Sequence, residues 1–424
     1  MIRRNITHEN RQRTETLLRP LDQTEAHFAY LHAMMLGNTQ VMTHLLVQGS
    51  VASDDLLRAT HAVFNRFQIL RTCIRERADQ LWFLEHGDFC RVPVKLTGAE
   101  SLQACEKDLQ EELAEPVDSA QGLWRLRLVA IPSRNRSMIV LARNHAISDG
   151  FSTMLFFREL LAALAAVRDG TLLTAPCEPI ACWPTPQSSA PHPVSVERVT
   201  APALRFRSFV PVPQRTSRFL DLGITPQESR GLLAFCKRKT ITVTQLLSAF
   251  LLKSFCRVTG VMNTDLFTAV SLRSKRFHEK PVLEMGCHIT VARTVPSGID
   301  SDTVTLAREC GRLLEDAVWA WQPQQAPHMA LRKQADALAY TDRFSGIAIT
   351  NVGGVAGADF AGGVRPMGMR TVVNRVGANY AVVLHVLSFD GNLRATFAYS
   401  EPAMSVSDIE EMKVEFLALM EACL

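Results

Sequence analysis

The chain has 424 residues, of which 47% are hydrophobic and 21% are charged. This composition excludes intrinsic disorder as the state of the whole chain and leaves enough apolar residues for two or three domain cores. The formal net charge is only +4, and no dense basic run carries interleaved aromatic residues, so we do not expect a nucleic-acid-binding function.

The chain carries no obvious targeting segment. Its first twenty residues are polar and rich in arginine, without the apolar region of a secretory signal. No uninterrupted apolar stretch approaches the roughly 18 residues of a membrane-spanning helix. The ten cysteines are scattered and form no CxxC pair, which favours reduced thiols over a disulfide framework or a structural metal site. We therefore expect a cytoplasmic, globular protein.

Helices and strands alternate in the first part of the chain. The polar and acidic residues from Ser53 onward suit the start of a helix, and the spacing of apolar residues predicts the other elements. In chain order these are a helix from Ser53 to Phe67, strands from Leu70 to Arg77 and from Leu81 to His86, a helix from Leu102 to Leu113, strands from Trp124 to Ile131 and from Ser137 to Ala142, and a largely buried helix from Phe151 to Val167.

Proline is concentrated in the middle of the chain, where nine of the 20 prolines lie between Pro176 and Pro213. Because proline removes a backbone donor and fixes φ, this stretch reads as an extended crossover. The sequence therefore predicts an N-terminal lobe (residues 1–175), a Pro-rich crossover (176–214) and a C-terminal lobe (215–424).

The second lobe repeats the mixture of helices and strands. Its strongest local signal is a capping box from Thr225 to Glu228, with proline at the first helical position. Further predicted elements are a helix from Val243 to Val258, strands from Leu266 to Leu272 and from His288 to Thr294, a helix from Ser301 to Trp321, strands from Gly346 to Thr350, from Tyr380 to Phe389 and from Leu393 to Tyr399, and a terminal helix from Ser407. No glycine-rich strand-to-helix turn is present, so the pattern predicts an α+β fold and not a dinucleotide-binding fold.

One short loop carries residues suited to chemistry. His145 follows a predicted strand and precedes the buried helix, a position from which a rigidly held imidazole can face a cleft and accept a proton near neutral pH. Asp149 could orient the imidazole or order the loop, and Gly150 would allow the tight passage from strand to helix. The HxxxD spacing is weak by itself, since a structural loop histidine with a capping aspartate gives the same pattern.

The segment Asn144–Gly150 (NHAISDG) resembles the HHxxxDG signature of the condensation-domain superfamily. That superfamily includes peptide-synthetase condensation domains, stand-alone polyketide-associated acyltransferases such as phthiocerol dimycocerosyl transferase and, more distantly, chloramphenicol acetyltransferase. Four other segments resemble family elements and follow the family order. Residues 19–25 resemble the opening segment, and residues 67–72 resemble the HxxLRT element, with Phe67 in place of histidine. Residues 269–273 resemble the PVDLR element, and residues 350–354 resemble the S/T-N-x-G element.

The resemblance implies two chloramphenicol-acetyltransferase-like lobes in a V-shaped pseudo-dimer with a tunnel between them, where an acyl thioester and a nucleophile meet at His145. In the family the motif aspartate pairs with the PVDLR arginine, which implies a structural pair between Asp149 and Arg273. Asn351 could place a donor near the developing oxyanion or could simply close a turn. Asn144 replaces the first histidine of the signature, at a position that is mostly structural.

The implied function is that of an acyltransferase in natural-product or lipid biosynthesis, with His145 as general base and no bound cofactor. The donor would be acyl-phosphopantetheine on an acyl carrier protein, or acyl-CoA, and the acceptor a small-molecule alcohol or amine. An ester product is favoured because the first histidine is replaced. The alternatives are an amide-forming condensation enzyme and a catalytically silent recruitment scaffold. We expect a monomer, and we interpret His288 and His385 as ordinary strand residues.

Overall fold

The computed structural model describes residues 15–171, 177–180, 204–273, 284–322, 326–357 and 364–424. The strands of these residues form three sheets, of three, five and six strands. Helices pack beside the sheets, which gives the α+β architecture that the sequence predicts.

The N-terminal half contains every element predicted for it, with ends that shift by up to two residues. Its elements are β1 (Thr16–Pro20), α1 (Gln23–Met34), β2 (Val41–Gln48), α2 (Ser53–Arg66), β3 (Thr72–Arg77), β4 (Gln80–Glu85), β5 (Val94–Gly98), α3 (Leu102–Ala114), β6 (Trp124–Ile131), β7 (Arg136–Arg143) and α4 (Gly150–Arg168). Four elements, β1, α1, β2 and β5, were not predicted from the sequence. In α1 the run from Phe28 to His32 is buried without interruption, so this helix shows no amphipathic periodicity.

The C-terminal half likewise follows the predicted order. Its elements are β8 (Thr216–Asp221), α5 (Pro226–Lys239), α6 (Val243–Thr259), β9 (Leu266–Ser271), β10 (Ile289–Thr294), α7 (Thr303–Trp319), α8 (His328–Ala339), β11 (Gly346–Val355), β12 (Pro366–Val373), β13 (Tyr380–Phe389), β14 (Asn392–Glu401) and α9 (Val406–Glu421). The capping box of α5 is formed: Glu228 N–H donates to the Thr225 hydroxyl, and Thr225 N–H donates to the Glu228 carboxylate. Three elements, β8, α8 and β12, were not predicted from the sequence.

The five-stranded sheet is built from strands of the N-terminal half and the six-stranded sheet from strands of the C-terminal half, with β12 as the one exception. The five-stranded sheet has the order β12-β2-β7-β6-β5, and the six-stranded sheet has the order β10-β9-β11-β13-β14-β8. β12 comes from the C-terminal half but pairs antiparallel with β2, with Val373 opposite Val41. The exchange ties the halves together beside the end of β7, where the candidate site begins.

Each half has its own hydrophobic core. Large buried aromatic side chains contribute to both cores, among them Phe64, Phe83, Trp124 and Phe156 in the N-terminal core and Phe250, Phe255, Phe397 and Phe416 in the C-terminal core. The C-terminal half also contributes Leu331 of α8 and Met369 of β12 to the N-terminal core. Such burial is the main source of folding free energy for each half.

Among the described helices, α4 is the single helix that is long and apolar enough, by length and composition, to cross a membrane. The pair α5 and α6, which is bent by 105°, passes the same test if it is counted as one span. Half of the apolar stretch of α4 is buried inside the protein, and Phe156 and Phe157 on this helix are fully buried. Here α4 is a core helix of the N-terminal half.

The lobe boundaries at residues 175 and 214 stay a prediction, because most of the proline-rich crossover lies outside the described residues. Its described parts make isolated backbone pairings, Phe67 with Glu178 and Arg205 with Arg343. Nine of the ten cysteines are described, and all nine are free thiols.

Candidate active site

The motif loop begins where β7 ends, and a buried asparagine holds it in shape. The Asn144 side chain accepts a hydrogen bond from Ala146 N–H at 2.9 Å and donates one to the Ser119 hydroxyl at 3.0 Å. These bonds fix a short 3-10 turn, His145–Ile147, directly before α4. Asn144 therefore orders the backbone that presents His145, a structural task that its amide performs without a second imidazole.

His145 borders a cavity of about 580 Å³ whose walls come from both halves of the chain. One wall is the five-stranded sheet, through β2, β7 and β12, and the other is the six-stranded sheet, through β9, β11 and β13. The ring is half-buried: protein atoms surround most of it, and the cavity reaches the remainder. The site that the sequence predicts thus lies between the halves, not inside one of them.

Packing fixes the imidazole of His145. The Phe28 ring stacks on it with 4.3 Å between ring centroids and 13° between ring planes. The Cys287 sulfur lies 3.8 Å from Nδ1. A ring held in this way keeps its orientation toward the cavity, which a proton acceptor requires.

The environment keeps His145 neutral. Burial lowers its pKa from 6.5 to about 4, and the Arg143 guanidinium acts in the same direction. A hydrogen bond to the backbone of His145 itself and the Asp149 carboxylate oppose this shift without cancelling it. Because the charged form is disfavoured, the imidazole is unprotonated at neutral pH and can accept a proton.

Asp149 and Arg273 form the ion pair that the family resemblance implies. Arg273 Nε and Nη2 each lie 3.0 Å from one carboxylate oxygen of Asp149. Burial raises the pKa of Asp149, but the Arg273 charge, the hydrogen bonds from Arg273 and a hydrogen bond from Ser152 N–H outweigh it, so that the pKa is lowered. Asp149 also caps α4 through this Ser152 N–H at 2.7 Å.

The same pair joins the motif loop to the C-terminal half. Arg273 donates to the Glu284 carbonyl at 3.1 Å and to the Ser152 hydroxyl at 2.9 Å, while Asp149 N–H donates to the Gly286 carbonyl at 3.1 Å. The carboxylate of Asp149 is thus committed to Arg273, to the start of α4 and to His288 N–H at 3.3 Å. These contacts make Asp149 a positioning residue.

Gly150 is required for a reason other than the predicted one. Its φ does not lie in the left-handed region, so the passage from loop to helix needs no glycine conformation. A Cβ at this position would instead lie 2.9 Å from Cγ1 of Val352 on β11. Glycine therefore lets α4 pack closely against the six-stranded sheet at the cavity.

Asn351 lines the cavity, but its side chain is engaged within the protein. Its amide nitrogen donates to the Thr244 hydroxyl at 3.0 Å, and its oxygen accepts from Gly353 N–H at 2.9 Å. Gly353 has a φ of +94°, which favours glycine. Of the two roles left open by the sequence, these bonds support the turn.

Two further cavity residues were missed as site residues. Arg143, the last residue of β7, is buried and lines the cavity, as does His385 of β13, which was interpreted as an ordinary strand residue. An arginine directly after the apolar run Met138–Ala142 was the available signal for Arg143, because a buried cation needs a compensating partner. Among the described residues no group of three or more His, Cys, Asp or Glu side chains is arranged to hold a metal ion.

Comparison with known proteins identifies the fold. No protein-family model and no curated protein matches the chain. Solved structures match over nearly its whole length. The first condensation domain of the CDA synthetase matches with a TM-score of 0.70 and 14% sequence identity over 96% of both chains. Polyketide synthase associated protein 5 from Mycobacterium tuberculosis has a TM-score of 0.64 and 17% identity over 96% of this chain and 98% of that chain, and TRI3 trichothecene 15-O-acetyltransferase from Fusarium sporotrichioides has a TM-score of 0.67 and 10% identity over 96% of both chains.

The chain thus has the condensation-domain fold. Its candidate active site is the cavity between the two halves, bordered by the histidine of the HxxxDG motif.

Proposed function

We propose that this protein is an acyltransferase that moves an acyl group from a thioester to a hydroxyl acceptor and forms an ester, with His145 as the general base. One observation carries the proposal: a neutral imidazole at the end of β7 borders a cavity walled by both halves of the chain. The chain shares its fold with condensation domains and with an O-acetyltransferase, and this likeness supports transfer chemistry of the same general type.

The proposed reaction needs one proton acceptor and two correctly placed substrates. The acceptor hydroxyl gives its proton to His145 as its oxygen attacks the thioester carbonyl carbon. The tetrahedral intermediate then collapses, the carbon–sulfur bond breaks, and the leaving thiolate takes the proton back from His145. Base catalysis contributes about 10²–10⁴-fold, and holding both reactants in attack geometry contributes up to about 7–11 kcal/mol.

The donor in this proposal is an acyl-phosphopantetheine on a carrier protein or an acyl-CoA, and the protein acts in the cytoplasm in natural-product or lipid biosynthesis. Asp149 and Arg273 keep the motif loop in place and take no proton from the substrate. A primary amine in place of the alcohol would give an amide by the same steps. Whether the product is an ester or an amide therefore identifies the acceptor as an alcohol or an amine.

The test incubates the purified full chain with acyl-CoA, or with an acyl-loaded carrier protein, and a panel of alcohols and amines, and identifies the products by mass spectrometry. We expect an ester whose mass equals that of the acceptor plus the acyl group, formed with release of one thiol. If amides form and esters do not, the acceptor is an amine and not an alcohol. No transfer to any acceptor from either donor, with the chain folded, would contradict the proposed function.

A further inference from the structure

The cavity contains a buried cation without a counter-ion. Arg143 is 2% exposed, and its side chain donates to three hydroxyl groups, those of Ser148 (2.8 Å), Thr43 (3.2 Å) and Thr153. Within the described part of the chain no carboxylate lies at ion-pair distance from this guanidinium, and the nearby Asp149 is committed to Arg273. A buried charge without an opposite charge is costly, so a fold that keeps one has a use for it.

The guanidinium of Arg143, which lines the cavity, retains donor capacity. Arginine has five N–H donors in a fixed fork, and the three hydroxyl partners use one on each nitrogen. Arg143 lies opposite Val41 on β2, and Val41 lies opposite Val373 on β12. All three residues border the cavity, so this row of the five-stranded sheet faces it.

His385, which lines the same cavity, carries a second unused donor. The ring is 4% exposed, and its Nε2 accepts a hydrogen bond from Val373 N–H at 3.4 Å. Because a backbone N–H can only donate, the proton of the neutral imidazole must be on Nδ1. Nδ1 is buried and has no hydrogen-bond partner among the described residues. Burial, with Arg375 and His145 acting in the same direction, lowers the pKa of His385 to about 3, which keeps the ring neutral.

The backbone register places these two side chains along one stretch of the cavity wall. Val373, which holds the His385 ring, is two strands away from Arg143 in the same row of the sheet. Adjacent strands are about 4.8 Å apart, so the two backbone positions are about 10 Å apart across the cavity wall. A group with two acceptor oxygens and a negative charge has the chemistry that would satisfy both side chains.

We propose that Arg143 and His385 bind a carboxylate carried by one of the two substrates. The proposal rests on the proposed function for the identity of those substrates. A planar carboxylate matches the guanidinium fork and supplies the missing negative charge. The phosphate of phosphopantetheine is a poorer candidate, because it lies at the opposite end of the arm from the thioester that must reach His145.

The test measures binding of matched ligands to the full chain by titration calorimetry. The first arm compares hydroxy acids of increasing chain length with their primary amides, and the second compares a dicarboxylic acyl-CoA with a monocarboxylic acyl-CoA of similar length. In one arm we expect the carboxylate to bind about tenfold to a hundredfold tighter than its neutral partner, as a charge-assisted hydrogen bond provides. That arm identifies which substrate carries the carboxylate.

Variants assign the preference to the two side chains. The variants Arg143→Met and His385→Gln should abolish the preference for the carboxylate. The conservative variants should retain part of this preference, because Arg143→Lys keeps the charge and His385→Asn keeps a donor near the Nδ1 position. Arg312→Met, a change on the exposed face of α7, is the matched control and should leave the preference intact. Because Arg143→Met removes a costly buried charge that has no counter-ion, we expect this variant to fold. If it does not fold, the wild-type comparisons and the His385→Gln variant still test the proposal.

Equal binding of charged and neutral ligands in both arms would overturn the proposal. An equal loss for both ligand types in Arg143→Met and His385→Gln would also overturn it, since it would indicate that these residues act on a group common to all substrates. If no acyl transfer is found but an Arg143-dependent carboxylate preference remains, the proposed function fails and the carboxylate site stands.

Discussion

Replacing His145 by alanine should lower kcat by about 10²–10⁴-fold while the chain stays folded. The variant removes the one neutral imidazole of the motif loop and leaves the Asp149–Arg273 pair intact. Since the ring packs against Phe28, its loss opens a small gap, but the hydrogen bonds of Asn144 that shape the turn do not involve it. Steady-state acyl transfer at saturating substrate measures the effect, and thermal melting followed by circular dichroism checks the fold.

His61→Ala is the matched control, because His61 is an exposed histidine on α2 that packs beside Phe89. This variant should transfer acyl groups at the wild-type rate. A folded His145→Ala protein with a wild-type kcat would show that another group accepts the proton.

Replacing Arg273 by methionine should lower the free energy of unfolding by about 3–5 kcal/mol. Asp149 is 3% exposed, and both of its carboxylate oxygens bind Arg273 at 3.0 Å. Without the guanidinium, a buried carboxylate would lack a counter-ion at the start of α4. The loop would also lose the contacts of Arg273 with Ser152 and with the Glu284 carbonyl. Denaturant unfolding of the two proteins measures the difference.

A double-mutant cycle separates the ion pair from other contacts of Arg273. In the variant with both Asp149→Asn and Arg273→Met the buried charge is gone, so the double variant should be more stable than Arg273→Met alone. Additive losses for the two substitutions would show that the side chains do not stabilise each other. Arg312→Met breaks an exposed ion pair with Asp316 and should change stability little.

The elements with strong local signals were predictable. The capping box at Thr225 fixes the start of α5 as expected, and the apolar run Tyr380–Phe389 is a strand over its whole predicted length. The missed elements lack such patterns. β12, for example, contains glycine and arginine and is a strand because it pairs with β2, more than three hundred residues earlier in the chain.

The candidate site was predictable where its residues are close in sequence. The motif loop placed His145, Asp149 and Gly150, and the family resemblance supplied Arg273 as the partner of Asp149. The cavity itself depends on the pairing of β12 with β2, which lies next to β7, and on the packing of α4 against β11. No spacing along the chain reveals that His385 lines the same cavity as Arg143. Likewise, the close contact of Gly150 with Val352 is a property of packing, which is why the predicted reason for that glycine was wrong.

The pH dependence of kcat/KM tests the central claim most directly, that His145 is the proton acceptor in a neutral state. Because burial lowers its pKa to about 4, the imidazole loses its proton above that pH and the base form is present through the neutral range. The account predicts a rate that is level down to about pH 5 and falls about tenfold per pH unit below about pH 4. The residual rate of His145→Ala should lack this acid limb, and the same limb in both proteins would contradict the assignment.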